Sequence, residues 1–132
     1  MNITLKNKEL IPTINFLQGL KLKNADSRHR SKLVKLLTTA LDEFAESEQD
    51  LLKEHHLVDE KGAILPEDQQ EKEQVDAYNI EQNKLYEEEV VIEGGMYAKN
   101  IDELPRILES LDIELEGKEA EIYDRLLDEM EK

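Results

Sequence analysis

The sequence contains no cysteine and no tryptophan, and only three prolines, five glycines and 5% aromatic residues among its 132 positions. Without cysteine, the chain cannot form a disulfide scaffold, a thiolate zinc site, an iron–sulfur cluster or a cysteine nucleophile. It also lacks the run of about 20 apolar residues that a membrane-spanning helix requires. Residues 1–10 contain no signal-peptide core, so we expect the protein to remain in the cytoplasm.

Charge is abundant and unevenly distributed. The chain has 32 acidic and 17 basic residues, which give a formal net charge of −15. Residues 1–40 carry a net charge of +6, whereas residues 41–132 carry −21. So acidic a chain should repel DNA as a whole. We expect the acidic portion to fold against the basic N-terminal portion within one domain spanning residues 1–132.

Hydrophobic periodicity predicts a predominantly helical α+β fold. Residues 2–5 alternate polar and apolar side chains, which is typical of a short edge strand. A first helix follows, with either Asn7 as its N-cap or Pro12 in its first turn. Asp26 or Ser27 caps a second helix that extends to about residue 56, and a third helix covers about residues 67–88. Together these two helices predict a long helical hairpin over about residues 27–88.

The C-terminal third of the chain predicts two more strands and two more helices. The β-branched run 90–92 ends at Gly94 and Gly95, which indicates a strand and a turn. Asn100 and Glu103 form a capping-box pattern that would open a helix, unless Pro105, near its first turn, shifts the start. Strict alternation over residues 111–115 predicts a third strand, and a C-terminal helix follows Gly117. We expect the short strands to form a small sheet beside the hairpin.

The second helix carries a broad apolar stripe. Its apolar residues Leu33, Leu37, Ala40, Phe44 and Leu51 follow the 4-3-4-7 spacing of a heptad seam. Further apolar residues beside this seam make the stripe wide enough to pack against more than one element. The candidate apolar interaction surface consists of Leu37, Leu41, Phe44, Leu51 and Leu52.

The same helix begins with a cluster of cations. Arg28, His29, Arg30 and Lys32 lie in its first two turns, where the helix dipole disfavours positive charge. This conflict indicates tertiary pairing or a binding role for the candidate basic surface, Arg28, Arg30, Lys32 and Lys35. No aromatic residue is interleaved with them, which weakens a nucleic-acid interpretation. Pairing with the acidic third helix, or with an acidic partner, explains the cluster better.

The third helix has a narrow apolar edge formed by Val75, Tyr78, Gln82 and Leu85, and it should therefore pack on one side only. Between residues 67 and 93 there are ten acidic residues and two lysines. Consecutive glutamates diverge around a helix, so a solvated face explains them better than a cation site. The candidate acidic interaction surface consists of Glu71, Glu73, Glu81, Glu87, Glu88 and Glu89.

Motifs of catalysis and metal binding are missing from the sequence. None of the four serines lies in a nucleophile-elbow pattern, and Gly94-Gly95 lacks the spacing of a phosphate-binding loop. His55 and His56 are adjacent, so on a helix they point about 100° apart rather than toward one metal ion. At a helix end they would instead interact with the negative dipole. We expect no catalytic residues, no metal site, no cofactor and no enzymatic activity.

Three segments carry a family resemblance: residues 14–37, which include Phe16-Leu17-Gln18-Gly19, residues 89–95, and residues 117–124. Over most of its length the chain resembles a family of small proteins of unknown function encoded by phages and prophages of Gram-positive bacteria. The resemblance implies a phage origin and expression in the cytoplasm of a bacterial host. It implies no catalytic motif and no mechanism.

Two functional hypotheses follow. In the first, the protein has a structural, assembly or protein-interaction role, with the long amphipathic helix as its contact element. Its partner would be a phage or host protein or another copy of the chain, and its location would be the host cytoplasm or the virion. In the second, the dense carboxylates imitate a nucleic-acid backbone and inhibit a host defence or nucleic-acid-binding enzyme. Neither hypothesis involves direct nucleic-acid binding or a membrane.

Overall fold

Strand β1 (Asn2–Lys6) pairs antiparallel with strand β2 (Glu89–Glu93) in the computed structural model, which describes residues 1–132. Ile3 lies opposite Ile92, and Leu5 lies opposite Val90. The alternation of β1 therefore places its apolar side chains on one face of the sheet, which the helices cover. These two strands are confirmed.

Six α-helices surround this ribbon. They are α1 (Leu10–Gln18), α2 (Asn24–Glu54), α3 (Lys72–Glu87), α4 (Ala98–Asp102), α5 (Leu104–Glu109) and α6 (Gly117–Met130). Helix α2 is the longest, and it packs against α1, α3, α4, α5 and β2. The predicted α+β class, the long helical hairpin of α2 and α3, and the C-terminal helix are confirmed. None of the helices is both long and apolar enough to cross a lipid bilayer.

One hydrophobic core joins the sheet to the helices. Its fully buried members include Leu5 on β1, Leu17 on α1, Leu37 on α2, Leu104 on α5 and Leu126 on α6. Helix α2 contributes Leu33, Leu37 and Ala40 to this cluster as buried residues, and none of its residues after Leu41 belongs to the cluster or packs against it. The part of α2 after Leu41 and most of α3 therefore extend past the main core as an arm.

The predicted third strand over residues 111–115 is wrong, because this segment has no regular secondary structure. Leu111 and Leu115 pack against the core, whereas Ile113 between them is 52% exposed. The alternation is therefore real, but a strand also needs a partner for its backbone. Side chains of α6 already occupy the outer edge of β1 at Thr4.

Two predicted helix starts are also wrong. Helix α2 begins at Asn24, and the carboxylate of Asp26 bonds to Arg106 instead of capping the helix. Helix α4 begins at Ala98, so Asn100 lies inside it. Pro105 has no N–H to donate to the preceding turn, and the chain accordingly breaks into α4 and α5 at Glu103.

The third helix also begins later than residue 67. Residues Glu67–Gln69 form a single 3₁₀ turn, and α3 starts at Lys72. Gln70, between them, has extended backbone angles, and its side-chain amide donates to the carbonyl of Leu65. The extended backbone at Gln70 thus separates the 3₁₀ turn after Pro66 from α3.

Candidate interaction surfaces

The basic start of α2 has a structural role at Arg30. Its Nη1 atom donates to the carbonyl oxygens of Leu17 and Leu20, each at 2.8 Å. These carbonyls lie at the C-terminal end of α1, where a cation is favoured by the helix dipole. Although Arg30 is poorly placed for the dipole of its own helix, it is well placed for that of α1.

The remaining cations of the cluster face an aromatic ring or solvent. The Nζ atom of Lys32 lies 5.0 Å from the ring centroid of Tyr97, and that of Lys35 lies 6.0 Å from it. Arg28 is exposed, and no carboxylate lies within 4.0 Å of Arg28, Lys32 or Lys35. The predicted pairing of this cluster with the acidic third helix is therefore wrong.

Lys6, at the end of β1, and Lys8, in the turn that follows, make the connection to the third helix instead. The ammonium groups of Lys6 and Lys8 bind the two carboxylate oxygens of Glu87, at 2.7 and 2.5 Å. Hydrogen bonds from both lysines lower the pKa of Glu87 to about 2, and the same contact raises the pKa of Lys6. The end of α3 is thereby tied to β1, which the amide of Asn7 reinforces by donating to the carbonyl of Leu85.

The acidic candidates lie at the surface, and most have no cation nearby. Only Glu87 and Glu81 form ion pairs, the latter with Lys84 one turn away in the same helix. The other four, Glu71, Glu73, Glu88 and Glu89, are exposed and have no basic group within 4.0 Å. The structure does not draw these carboxylates into one cluster: Glu71 lies before α3, and Glu89 lies in β2.

The apolar candidates are mostly covered by the chain itself. Leu37 is fully buried and Phe44 is 8% exposed, with the Phe44 ring 5.2 Å from that of Tyr86 on α3. Leu41, Leu51 and Leu52 are half-buried. The stripe predicted as a contact element for a partner therefore packs mainly within the chain.

Polar and aromatic groups hold the two helices of the arm together. The amide of Gln82 donates to Oε2 of Glu48 at 2.9 Å and to the hydroxyl of Tyr78 at 3.0 Å, and the Tyr86 hydroxyl donates to the same Glu48 oxygen. Burial, followed by the nearby charge of Glu48, raises the pKa of both tyrosines. The predicted edge of α3 thus meets α2, although no residue of α3 is fully buried.

A buried ionic network on α6 was absent from the sequence-based candidates. Glu129 is 3% exposed and accepts hydrogen bonds from the backbone N–H of Thr4 at 2.9 Å, from Arg125 at 2.8 Å and from Lys132. Burial raises the pKa of Glu129, but hydrogen bonds from Lys132 and Thr4 and the charges of Lys132 and Arg125 outweigh it, so the pKa is lowered. The burial of Glu129 is predictable from the sequence, because its position falls on the apolar face of α6, next to Leu126 and Met130.

Groups that often serve in catalysis are engaged in local structure. The hydroxyls of Ser27, Ser31 and Ser110 each donate to a carbonyl three or four residues earlier in the chain. Nδ1 of His29 lies 3.1 Å from the amide nitrogen of Asn100, and Nδ1 of His55 lies 2.8 Å from the carbonyl of Leu51. No three His, Asp or Glu side chains are grouped so that they could hold a metal ion.

The surface clefts are shallow. One of about 560 Å³ lies between α2 and the turn after β2, where Val34, Lys35 and Thr38 face Met96 and Tyr97. Met96 is 87% exposed at its rim. A second cleft, of about 390 Å³, lies between α1 and α6 and includes Arg125, which is already bound to Glu9 and Glu129.

Comparison with known proteins places the chain in a family without an assigned activity. A family model described as a protein of unknown function, DUF1617, matches residues 1–132, and the chain belongs to this family. No curated protein and no solved structure shows significant similarity to the chain.

Proposed function

We propose that this member of a family of unknown function is a non-enzymatic phage or prophage protein whose long helical hairpin binds a basic protein partner. The phage origin rests on the resemblance carried by residues 14–37, 89–95 and 117–124. For a protein of this origin we propose a location in the cytoplasm of a bacterial host or in the virion. The contact surface is the arm defined by residues 41–88, which comprises the second half of α2, the connecting loop and α3, and which we name the acidic arm.

The charge of the acidic arm is the observation that carries this proposal. Residues 41–88 contain 16 acidic and four basic residues, so the arm has a net charge of −12, while the rest of the chain has −3. Ion pairs engage only Glu81 and Glu87, which leaves 14 carboxylates of the arm without a cation within 4.0 Å. Folding therefore does not neutralise the arm.

The mechanism follows from this uncompensated field. Closely spaced negative charges attract a Lys- and Arg-rich surface over about 10 Å at about 0.1 M salt, and they raise the rate of association more than the final affinity. A groove that normally holds nucleic acid presents such a surface. We therefore propose that the partner is a nucleic-acid-binding enzyme of the host, for which the arm competes with nucleic acid.

The apolar stripe of α2 is mostly buried within the chain, so we do not propose it as the contact surface. Since Leu37 and Phe44 pack inside the chain, they are not available to a partner. The contact surface is therefore formed by the exposed polar residues of the acidic arm, not by the apolar stripe of α2. An assembly role through the stripe would need contacts from the half-buried Leu41, Leu51 and Leu52 alone.

The test is affinity capture from host lysate with three baits that differ only in charge placement. The arm variant carries Glu71→Gln, Glu73→Gln, Asp76→Asn and Glu88→Gln, all at exposed positions. The matched control removes the same number of exposed carboxylates near α6, by Asp112→Asn, Glu114→Gln, Glu116→Gln and Glu119→Gln.

Wild type and control should capture the same basic, nucleic-acid-binding protein, and the arm variant should lose it. With that protein purified, binding should weaken steeply as salt rises, and nucleic acid should compete for it. Capture that survives in the arm variant, or that is indifferent to salt, would contradict the proposal.

A further inference from the structure

The two strands of the sheet differ in what covers their outer edges. The backbone N–H of Asn7 donates to the carbonyl of Glu88 at 2.9 Å, which continues the ladder by one residue and fixes its phase. Because hydrogen-bonded and non-bonded pairs alternate in an antiparallel ladder, Leu5–Val90 and Ile3–Ile92 carry the inter-strand bonds. The main-chain groups of Thr4 and Lys6 on β1 therefore point away from β2.

The edge of β1 is closed by side chains. Glu129 accepts from the N–H of Thr4 at 2.9 Å, and Arg125 donates to the carbonyl of Thr4 at 3.0 Å. Glu9 accepts from the N–H of Lys6 at 2.8 Å. A carboxylate and a guanidinium thus occupy the positions that a third strand would otherwise take.

The edge of β2 is open. The same phase turns the N–H and C=O groups of Glu89, Val91 and Glu93 outward, and no hydrogen bond from the rest of the chain reaches them. All three residues are exposed, Val91 by 51%. An uncovered strand edge is a template for an added strand, and proteins usually cover or blunt it.

Charge selects the strand that fits this edge. Neither Glu89 nor Glu93 has a cation within 4.0 Å; Lys6 lies opposite Glu89 across the ladder, but its ammonium binds Glu87. A second copy of β2, paired antiparallel about Val91, would place Glu89 opposite Glu93 twice, which like charge disfavours. A second copy of β1 is unavailable, because α6 closes its edge.

We infer that β2 accepts an extended strand from another protein, antiparallel to β2, with an apolar residue opposite Val91 and lysine or arginine opposite Glu89 and Glu93. Main-chain hydrogen bonds would supply the attachment, and the two ion pairs would select the sequence. This surface lies on β2, next to the end of the acidic arm at Glu88, and it uses main-chain groups that the arm does not offer.

The test uses an end-blocked synthetic peptide with the core Lys-Thr-Val-Thr-Lys, against the full chain. Titration should shift the backbone amide resonances of Glu89, Val91 and Glu93 and leave those of β1 unchanged. The same peptide N-methylated at its valine loses a donor that faces β2 and should not bind, whereas N-methylation at a threonine, whose N–H faces away, should be tolerated.

Charge exchange separates specific pairing from general attraction. The Glu89→Lys/Glu93→Lys variant should bind the lysine peptide with an affinity at least tenfold lower than that of wild type. It should instead bind a Glu-Thr-Val-Thr-Glu peptide. The control Glu71→Lys/Glu73→Lys makes the same charge change on the acidic arm and should alter the affinity by no more than about twofold.

Equal losses in the two variants would show only a general attraction of cations, and would overturn the inference. Equal binding of both N-methylated peptides, or no binding at all, would do the same. Amide shifts at residues 89–93 that depend on protein concentration alone would identify a second copy as the occupant, again against the inference. Because the arm control retains the β2 edge, failure here is distinguishable from failure of the acidic arm.

Discussion

The two halves of helix α2 lie in different environments. In the first half, Leu33, Leu37 and Ala40 belong to the core that joins both strands to α1, α4, α5 and α6. Beyond Leu41, the helix contacts α3 through Phe44 and Glu48, and it contacts the connecting loop through Gln49. The first half therefore anchors the molecule, whereas the second half supports a charged surface.

The chemistry of the contacts differs in the same way. The core is almost entirely aliphatic, and its one buried ionic group, Glu129, has a full set of hydrogen bonds. The arm is held by the buried Phe44, two tyrosines, a glutamine and a half-buried glutamate, and Leu57 is the buried aliphatic residue of its loop. Because burial of apolar area is the dominant stabilising force, the arm should open more easily than the core.

The largest expected effect is that of a cavity in the core. Leu37→Ala removes a fully buried side chain and should lower the free energy of unfolding by about 2–5 kcal/mol. Leu52→Ala, in the same helix but half-buried in the arm, should lower it by less than about 2 kcal/mol. Urea denaturation followed by circular dichroism measures both values. Equal losses would mean that the two halves of α2 are equally important for stability.

The next effect concerns the closed edge of β1. Glu129→Ala leaves the N–H of Thr4 and the guanidinium of Arg125 without their buried acceptor, and should destabilise the protein by about 2–3 kcal/mol. Glu121→Ala, at an exposed position of the same helix, should change stability by no more than about 0.5 kcal/mol. Thermal unfolding of the two variants gives the comparison. A small loss of stability in Glu129→Ala would indicate that water replaces Glu129 as the hydrogen-bond acceptor at the edge of β1.

Elements with a clear period were predictable from the sequence. The alternation of β1, the β-branched run of β2 and the apolar spacing of α6 each indicated the structure that forms. The hairpin was also predictable, because Tyr78 and Gln82 share one edge of α3 and that edge does contact α2. In each case the information lies within a single segment.

Features that depend on a distant partner were not predictable. The position of Arg30 is explained by the carbonyls at the end of α1, which lie outside its own helix. Residues 111–115 alternate as a strand does, but no open backbone edge meets them. Asn100 and Asp26 are good capping residues, yet His29 and Arg106 take their side chains. Local propensity is overridden where a tertiary partner offers a better bond.

The smallest expected effect tests the ionic junction between the two regions. Hydrogen bonds from Lys6 and Lys8 hold the pKa of Glu87 at about 2 instead of 4.5, so the folded state favours the ionised form. Its contribution to stability is therefore complete above pH 4.5 and is lost as the pH falls toward 2. The difference in stability between wild type and Glu87→Gln should narrow over that interval.

Salt distinguishes this junction from the buried network of Glu129. The Glu87 side chain is 51% exposed, so the effect of Glu87→Gln should be small at neutral pH and should fade near 1 M salt. Glu88→Gln, at a neighbouring residue with no cation within 4.0 Å, should follow wild type in stability. An effect of Glu87→Gln that persists unchanged at high salt would show that the carboxylate acts through its fit between Lys6 and Lys8. In that case the arm would be fixed to β1 more firmly than its charges alone require.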